Sequence, residues 1–480
     1  MMRAFSRRGR WLAILDNELR QILSQRMAVG ASLLLAAAMA VALLLGSLHH
    51  QQQLDQQLTF QAIVDRQWAD QPDRHPHRVA HFGTFAFRPP SSLAFFDPGV
   101  DRQVGNAQFL EAHRQNPANF AAAGQMPVFT AISHLSPAML LQVLLPLLML
   151  AIGGLSVARE REQGTWLSMR SQGLPAGRIV LSKGLAYALL GAIIVSVACL
   201  LTLVLITLVG GKAHTGTLVA LAALGLAYLV YALFWAQLAV LVSALCKDSR
   251  QTLALLAGIW LLLVVVSPRA MPFLVALPDP PVDRTTFNAA IDADLRALGD
   301  SHNTQDPHFA AFRQATLKRY GVERVEDLPV NFGGLLMQEG ERRTSEVFER
   351  HYATLQARWD GQEKRLTWLA VLNPVLALQQ ASAALAGTDR NAFRHFEAQA
   401  ETYRYAFIQQ LNQVHTHEIR YENDRGQRVS RDHWQAIAPF VYQPETLVQR
   451  LRRTGLPLAI LFGWSLALTL LAAAFREPRR

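Results

Sequence analysis

Residues 159–183 read REREQGTWLSMRSQGLPAGRIVLSK, a short polar and basic segment pinned between two apolar runs. The run before it, Pro137 to Ala158, carries no charged residue, and neither does the run after it, Gly184 to Gly211. Each is long enough to cross a bilayer core, which takes about 20 apolar residues as a helix. The segment is therefore a loop at a membrane face. Arg159, Arg161, Arg170, Arg178 and Lys183 outnumber Glu160 and Glu162, and short loops rich in Lys and Arg stay on the cytosolic side. Its internal order predicts a helix end at Glu160-Arg161-Glu162, a break at Gly164, and a Thr165 N-cap for a short helix through Trp166, Leu167 and Met169. Gly173, Pro175 and Gly177 end that helix before the chain re-enters the membrane. A short helix lying across the cytosolic face is a handle for something else to push.

The rest of the 480-residue chain follows the same pattern, with apolar residues clumped into runs instead of spread through amphipathic periods. The runs predict spans at 27–48, 137–158, 184–211, 217–245, 251–267 and 455–475. Net charge is +10. Residues 1–26 carry +4, the loop 159–183 carries +3, residues 246–250 carry +1 and the tail from Phe475 carries +2. That is the whole excess, and all of it falls where this topology puts the cytosol. The basic balance thus reflects membrane orientation, and no nucleic-acid partner is needed to explain it. The fold class is an all-α polytopic membrane protein with six transmembrane helices and two large, mainly helical extracytosolic insertions, the first with some β structure.

Residues 1–26 place Trp11, Leu12, Ile14, Leu15, Leu19, Ile22 and Leu23 at helical spacing. This is an amphipathic helix for the inner leaflet or for a soluble partner. The first outer segment, 49–136, opens with a polar helix and turns to short alternating stretches after Pro72. Span three closes on an outer turn at Gly210-Gly211-Lys212, and span five is expected to stop at Pro268 and Arg269. Within the second outer segment, 268–454, residues 366–385 are nearly apolar and break at Asn373-Pro374. A full span there would carry Arg476, Arg479 and Arg480 outside, so a re-entrant or interfacial helix-break-helix is expected. The two cysteines, Cys199 and Cys246, read as small packed side chains, and neither outer segment has a disulfide framework.

No G-x-x-x-x-G-K-[ST] loop and no H-E-x-x-H motif occurs. Two His-x-His pairs, His75/His77 with His81 nearby and His415/His417, offer two imidazoles each if their segments are extended. Solvated loop histidines are the expectation, because no Cys, Met or carboxylate cluster accompanies them, and no metal site is assigned. Gln142 and Gln237 lie inside spans two and four; they line a polar path or hydrogen-bond between helices. The spans so drawn hold no Asp, Glu, Lys or Arg, which disfavours a proton-coupled carrier.

The pattern E-R-E-x-G-T, a short helix, a Gly/Pro break and Lys183 resembles the coupling segment of ABC-2 type transporter permeases, and N-E-L-R-Q-I-L at 17–23 resembles their elbow helix. H-F-G-x-x-A-F-x-P-P-S and F-D-P-G-V in the first outer segment are similar to one subfamily of these permeases. So are V-N-F-G-G-L-L-M-Q-E-G-E and A-L-A-G-T-D with A-E-T-Y-R in the second. The resemblance implies a multi-pass subunit of a bacterial cytoplasmic (inner) membrane exporter with both termini cytosolic. It also implies a second permease subunit, identical or homologous, and a separate ATPase subunit that binds ATP and Mg; this chain would bind no cofactor. The residues expected to couple to the ATPase are Glu160, Glu162, Gly164, Thr165, Trp166, Gly173 and Lys183, with Trp166 as the exposed apolar anchor. Two other readings stay open: an ATP-driven device acting mechanically on an extracytosolic protein, and a membrane-anchored binding protein without an ATPase.

This topology predicts that cysteines engineered at Asn106 and Asn303 react with an impermeant thiol reagent added to intact cells. A cysteine at Ser171 should react only after permeabilisation, and labelling of Ser171 from outside would reverse the assignment.

Overall fold

The computed structural model describes residues 7–118, 135–209 and 214–477. The turn at Gly210-Gly211-Lys212 and the terminal Arg479 and Arg480 lie outside these residues. Among the described residues six helices are long and apolar enough to cross a membrane. The first element is the helix α1 (Arg7–Ser24), over the stretch expected as an elbow helix. Gln25 is extended, and α2 (Arg26–Ala69) follows. The apolar run of α2 ends at Leu48, but no Gly or Pro occurs between there and Ala69, so nothing stops the helix. Its 44 residues reach about 66 Å, roughly twice a hydrocarbon core. The expected end at Leu48 is thus an end of apolar character and not of the helix.

The second apolar run is α4 (Pro137–Gly153), continued after a turn by α5 (Ser156–Glu162). The short α6 (Thr165–Ser171) comes next, and α7 (Ala176–Val209) and α8 (Thr215–Leu245) cross back and forth. Helix α8 is the centre of the bundle, with Tyr228, Tyr231 and Trp235 fully buried. The fifth apolar helix does not stop at Pro268. It runs as α9 (Ser249–Trp260), a π-helical stretch (Leu261–Val266) and α10 (Ser267–Ala276). The π-helical stretch lies directly before the proline, and Pro268 sits in the first turn of α10, where a missing N–H costs little. The last span, α17 (Leu447–Ala474), starts at a Thr446/Gln449 capping box.

The two outer segments form one interlocked body. The first contributes α3 (Pro76–Phe82) and an antiparallel sheet of β1 (Thr84–Phe87), β2 (Ala107–Glu111) and β3 (Arg114–Gln115). The second contributes α11 (Arg284–Ala297), α12 (Ala310–Tyr320), α13 (Phe332–Leu369), α14 (Pro374–Ala386), α15 (Arg390–Glu418) and α16 (Asp432–Gln435). Val100 N–H donates to Thr388 O (2.8 Å) and Trp68 Nε1–H to Trp434 O (3.0 Å). Arg88 pairs with Asp101 (2.8 Å) and reaches Gly387 O (3.3 Å). Gly99 has φ +45°, and a Cβ there would stand 2.3 Å from Thr388 O, so only glycine fits this crossing.

The chain breaks between α13 and α14, where Asn373 caps α14 and donates to Leu263 O (2.9 Å) and Ser267 Oγ (2.8 Å). With 13 residues, α14 is about 20 Å long, too short to cross, and it lies buried against α8 and α17.

The core of the outer body holds a charge pair with no exposed side-chain surface, Arg404 on α15 and Glu341 on α13, 2.6 Å apart. Burial alone would raise the Glu341 carboxyl, but hydrogen bonding from His113 and the charge of Arg404 outweigh it and hold it at about 2. Removing one partner strands a buried charge. Arg404→Ala should therefore cost about 3–5 kcal/mol, read as a lower unfolding temperature of the outer body in detergent. The paired change Glu341→Met/Arg404→Leu should cost less than Arg404→Ala alone.

Candidate functional site

The face that carries the charged segment 159–183 is built from α5, α6, the 246–248 turn and the end of α17. Gly164 takes φ +76° as the N-cap of α6, and Gly173 takes φ +78° after it, left-handed conformations that favour glycine. These two breaks separate α6 from α5 before it and α7 after it. Thr165 is the first helical residue and not the cap; its Oγ1–H donates to Glu160 O (3.3 Å).

Trp166 is not the exposed anchor that the sequence predicts. Its side chain is 1% exposed, beneath the Arg161 guanidinium (5.3 Å to the ring centre) and donating from Nε1 to Glu477 Oε1 (3.2 Å). Arg161, over the indole, also reaches Cys246 O (3.0 Å). Leu167, 70% exposed, is the apolar side chain that α6 presents outward. Glu162 accepts from Ser249 N–H (2.7 Å) and Ser249 Oγ–H (2.8 Å), tying this segment to the start of α9.

Glu160 and Lys183 point inward. Lys183 Nζ lies 2.5 Å from Glu18 Oε2 and 2.8 Å from Glu160 Oε1, and Tyr187 Oη–H donates to Glu18 Oε1 (2.6 Å). The side chains of Lys183 and Glu18 are each 2% exposed. One ammonium therefore holds the elbow helix, the end of α5 and the start of α7 together. Sequence reasoning missed Glu18, Tyr187 and Glu477, since contacts between α1, α7 and α17 leave no local signal; only the i, i+4 placing of Lys183 and Tyr187 on one helix face pointed to a shared partner.

Gln142 Nε2 donates to Tyr228 Oη (2.9 Å), which lies 3.0 Å from Ser382 Oγ, and Ser382 in turn donates to Asp97. Burial raises the Asp97 carboxyl above its ordinary range against the opposing hydrogen bonds of Ser382 and Gly99. Gln142 is thus an interhelical hydrogen-bonding residue in a chain that joins α4, α8, α14 and the first outer segment. Gln237 is not part of it. It is fully buried against Gly184, and neither amide atom has a hydrogen-bond partner among the described residues.

The histidine pairs do not sit in extended segments. His75 caps α3 by accepting from His77 N–H (3.2 Å), and within α3 the pair on one face is His77 with His81, Nε2 to Nε2 3.1 Å. His113 and His302 complete a group of four whose ligating nitrogens lie within 4.8 Å of one another. Burial first, then the neighbouring imidazoles His81, His113 and His302, hold His77 down at about 2. On α15, His415 turns inward and His417 outward, as i and i+2 must on a helix. His415 and His75 both meet Asp424, at 2.8 and 3.2 Å, which also accepts from Asn331 (2.7 Å). That second group shares Asp424, and His415 Nδ1 is buried with no hydrogen-bond partner among the described residues. Cys199 and Cys246 are free.

Residues 116–290 match the family described as ABC-2 family transporter protein, and residues 284–443 match a domain of unknown function, DUF3526. No curated protein matches the chain.

Lys183→Met should leave Glu18 and Glu160 without their cation, at a cost of about 3–5 kcal/mol. Hydrogen exchange across 7–24 should speed up in that variant. Arg20→Ala, which removes only the exposed Asp16–Arg20 pair, should leave exchange there unchanged; equal effects would mean that the buried triad does not hold the elbow.

Proposed function

Starting from a permease of the ABC-2 type, we propose that this chain is the transmembrane subunit of an ATP-binding-cassette exporter, paired with a second permease subunit and driven by a separate ATPase. The observation that carries the reading is the Lys183 triad: a force applied to α5 and α6 acts at once on the elbow helix and on the inner end of α7. The sequence has no phosphate-cradling loop of its own, so the nucleotide is hydrolysed by the partner. In this reading Leu167, together with the exposed Thr165 and Ser168, meets the ATPase. Trp166 and Glu162 shape the segment from within, and Gly164 and Gly173 set its angle. A mechanical role on an extracytosolic protein draws support from the hydrogen-bonded chain Gln142–Tyr228–Ser382–Asp97, which ties spans to the outer body. Transport into proteoliposomes separates the two.

The purified chain alone should hydrolyse no ATP, and hydrolysis should appear with its ATPase. Burying an apolar anchor commonly contributes about 2 kcal/mol or more at an interface, so Leu167→Asp should weaken ATPase capture at least 10-fold while leaving the chain's own unfolding temperature unchanged. Trp166→Ala should instead lower that temperature. Unchanged capture by Leu167→Asp would remove α6 as the contact.

A further inference from the structure

The histidines His77, His81, His113 and His302 come from both outer segments and converge where the proposed coupling to an ATPase requires nothing. All six of their ring-centre separations fall between 4.6 and 6.2 Å. A tetrahedral ion about 2.1 Å from one nitrogen of each imidazole would set ring centres about 5 Å apart, so the observed group needs only small side-chain shifts to close on one. Two of the four rings are already oriented by carboxylates on the opposite nitrogen. His113 Nδ1 is 3.1 Å from Glu341 Oε2, and His302 Nδ1 is 3.1 Å from Asp300 Oδ1. This is the outer-sphere arrangement that fixes the tautomer of a metal-bound histidine and leaves Nε2 for the ion. His113 Nε2 is buried with no hydrogen-bond partner among the described residues, and His113 itself is held at φ +60°, an uncommon conformation for a residue other than glycine.

We propose that His77, His81, His113 and His302 bind one late first-row divalent metal ion, represented by Zn2+, through the Nε2 atom of each ring. Four imidazoles and no oxygen ligand select this class against Ca2+ and Mg2+. Four protein ligands fill a tetrahedron and leave no position for a reacting water, so the site is a structural or sensing one and not a hydrolytic one. His81 and His302 are exposed, which gives the ion a way in from the outer surface, while His77 and His113 are half-buried. Because three ligands belong to the first outer segment and the fourth to the second, the ion fastens one segment to the other. The neighbouring His75, His415 and Asp424 also bring their ligating atoms within 4.8 Å of one another, but they offer three donors to the four imidazoles here, and Asp424 pairs with both histidines.

The test is a titration of the full-length chain, purified in detergent and stripped with a chelator, using zinc chloride with calorimetric detection and metal analysis after dialysis. The expected result is one Zn2+ retained per chain and a raised unfolding temperature, with no uptake of Ca2+ or Mg2+. His77→Ala/His81→Ala should abolish retention, and His302→Ala, at the exposed rim, should weaken it while leaving the metal-free unfolding temperature unchanged. Asp300→Asn should weaken binding by about 10-fold, the lower end of the usual effect of losing an outer-sphere partner. His417→Ala, which faces away from the group, should bind as the unaltered chain does. Absence of Zn2+ retention by the unaltered chain overturns the proposal, and so does equal retention by the unaltered chain, His77→Ala/His81→Ala and His302→Ala.

Discussion

Lipid offers no partner to a charge or to a free backbone group, and the arrangement of this chain follows from that exclusion. The spans are helical, with a turn at Gly154-Leu155 in the second and a π-helical stretch in the fifth, and their charged residues lie mostly toward the ends. Among the described residues the one ammonium that enters the bundle is that of Lys183, where Glu18 and Glu160 meet it and Tyr187 satisfies a remaining carboxylate oxygen. Such a group is weak evidence for stability, because desolvating three charges offsets much of their attraction. Its value is geometric: without Lys183 two carboxylates would face each other unpaired, so the ammonium fixes α1, α5 and α7 at one junction.

The same exclusion explains what the sequence made legible. Spans were readable because a run without charge over about 20 residues has few other uses, and the segments that carry the charge excess meet at one end of them. Ends were less so. Composition at Leu48 and Pro268 reported a change of surroundings, while the helix itself depends on backbone hydrogen bonding, which continued to Ala69 in one case and passed through a π-helical stretch in the other. In the segment 159–183, the breaks at Gly164 and Gly173 were visible because positive φ is a local demand. The direction of Trp166 was not, since it depends on Arg161 and on Glu477, 311 residues away in sequence. The histidine group failed for a similar reason. Its members lie on α3, after β2 and before α12, so no spacing rule gathers them, and the assumption of extended segments paired His75 with His77 when the helix pairs His77 with His81.

The inner triad and the outer histidines are joined by few soft elements. Glu18 lies on α1, and the only departure from helix between it and Ala69 is at Gln25. Beyond that point α2 is one unbroken helix whose far end is fixed by Trp68 to Trp434 and, through Gln435 Nε2–H, by Ala69 O (2.7 Å). Six residues after Ala69, His75 caps the helix that carries His77 and His81. A tilt of α2 about Gln25 therefore cannot be absorbed within the helix. It must be taken up at the joint between α2 and α3 or passed into the outer body, where Asp424 grips His75 from the second segment. Fastening the two outer segments to each other would stiffen that joint and leave the inner hinge as the softer end of the lever.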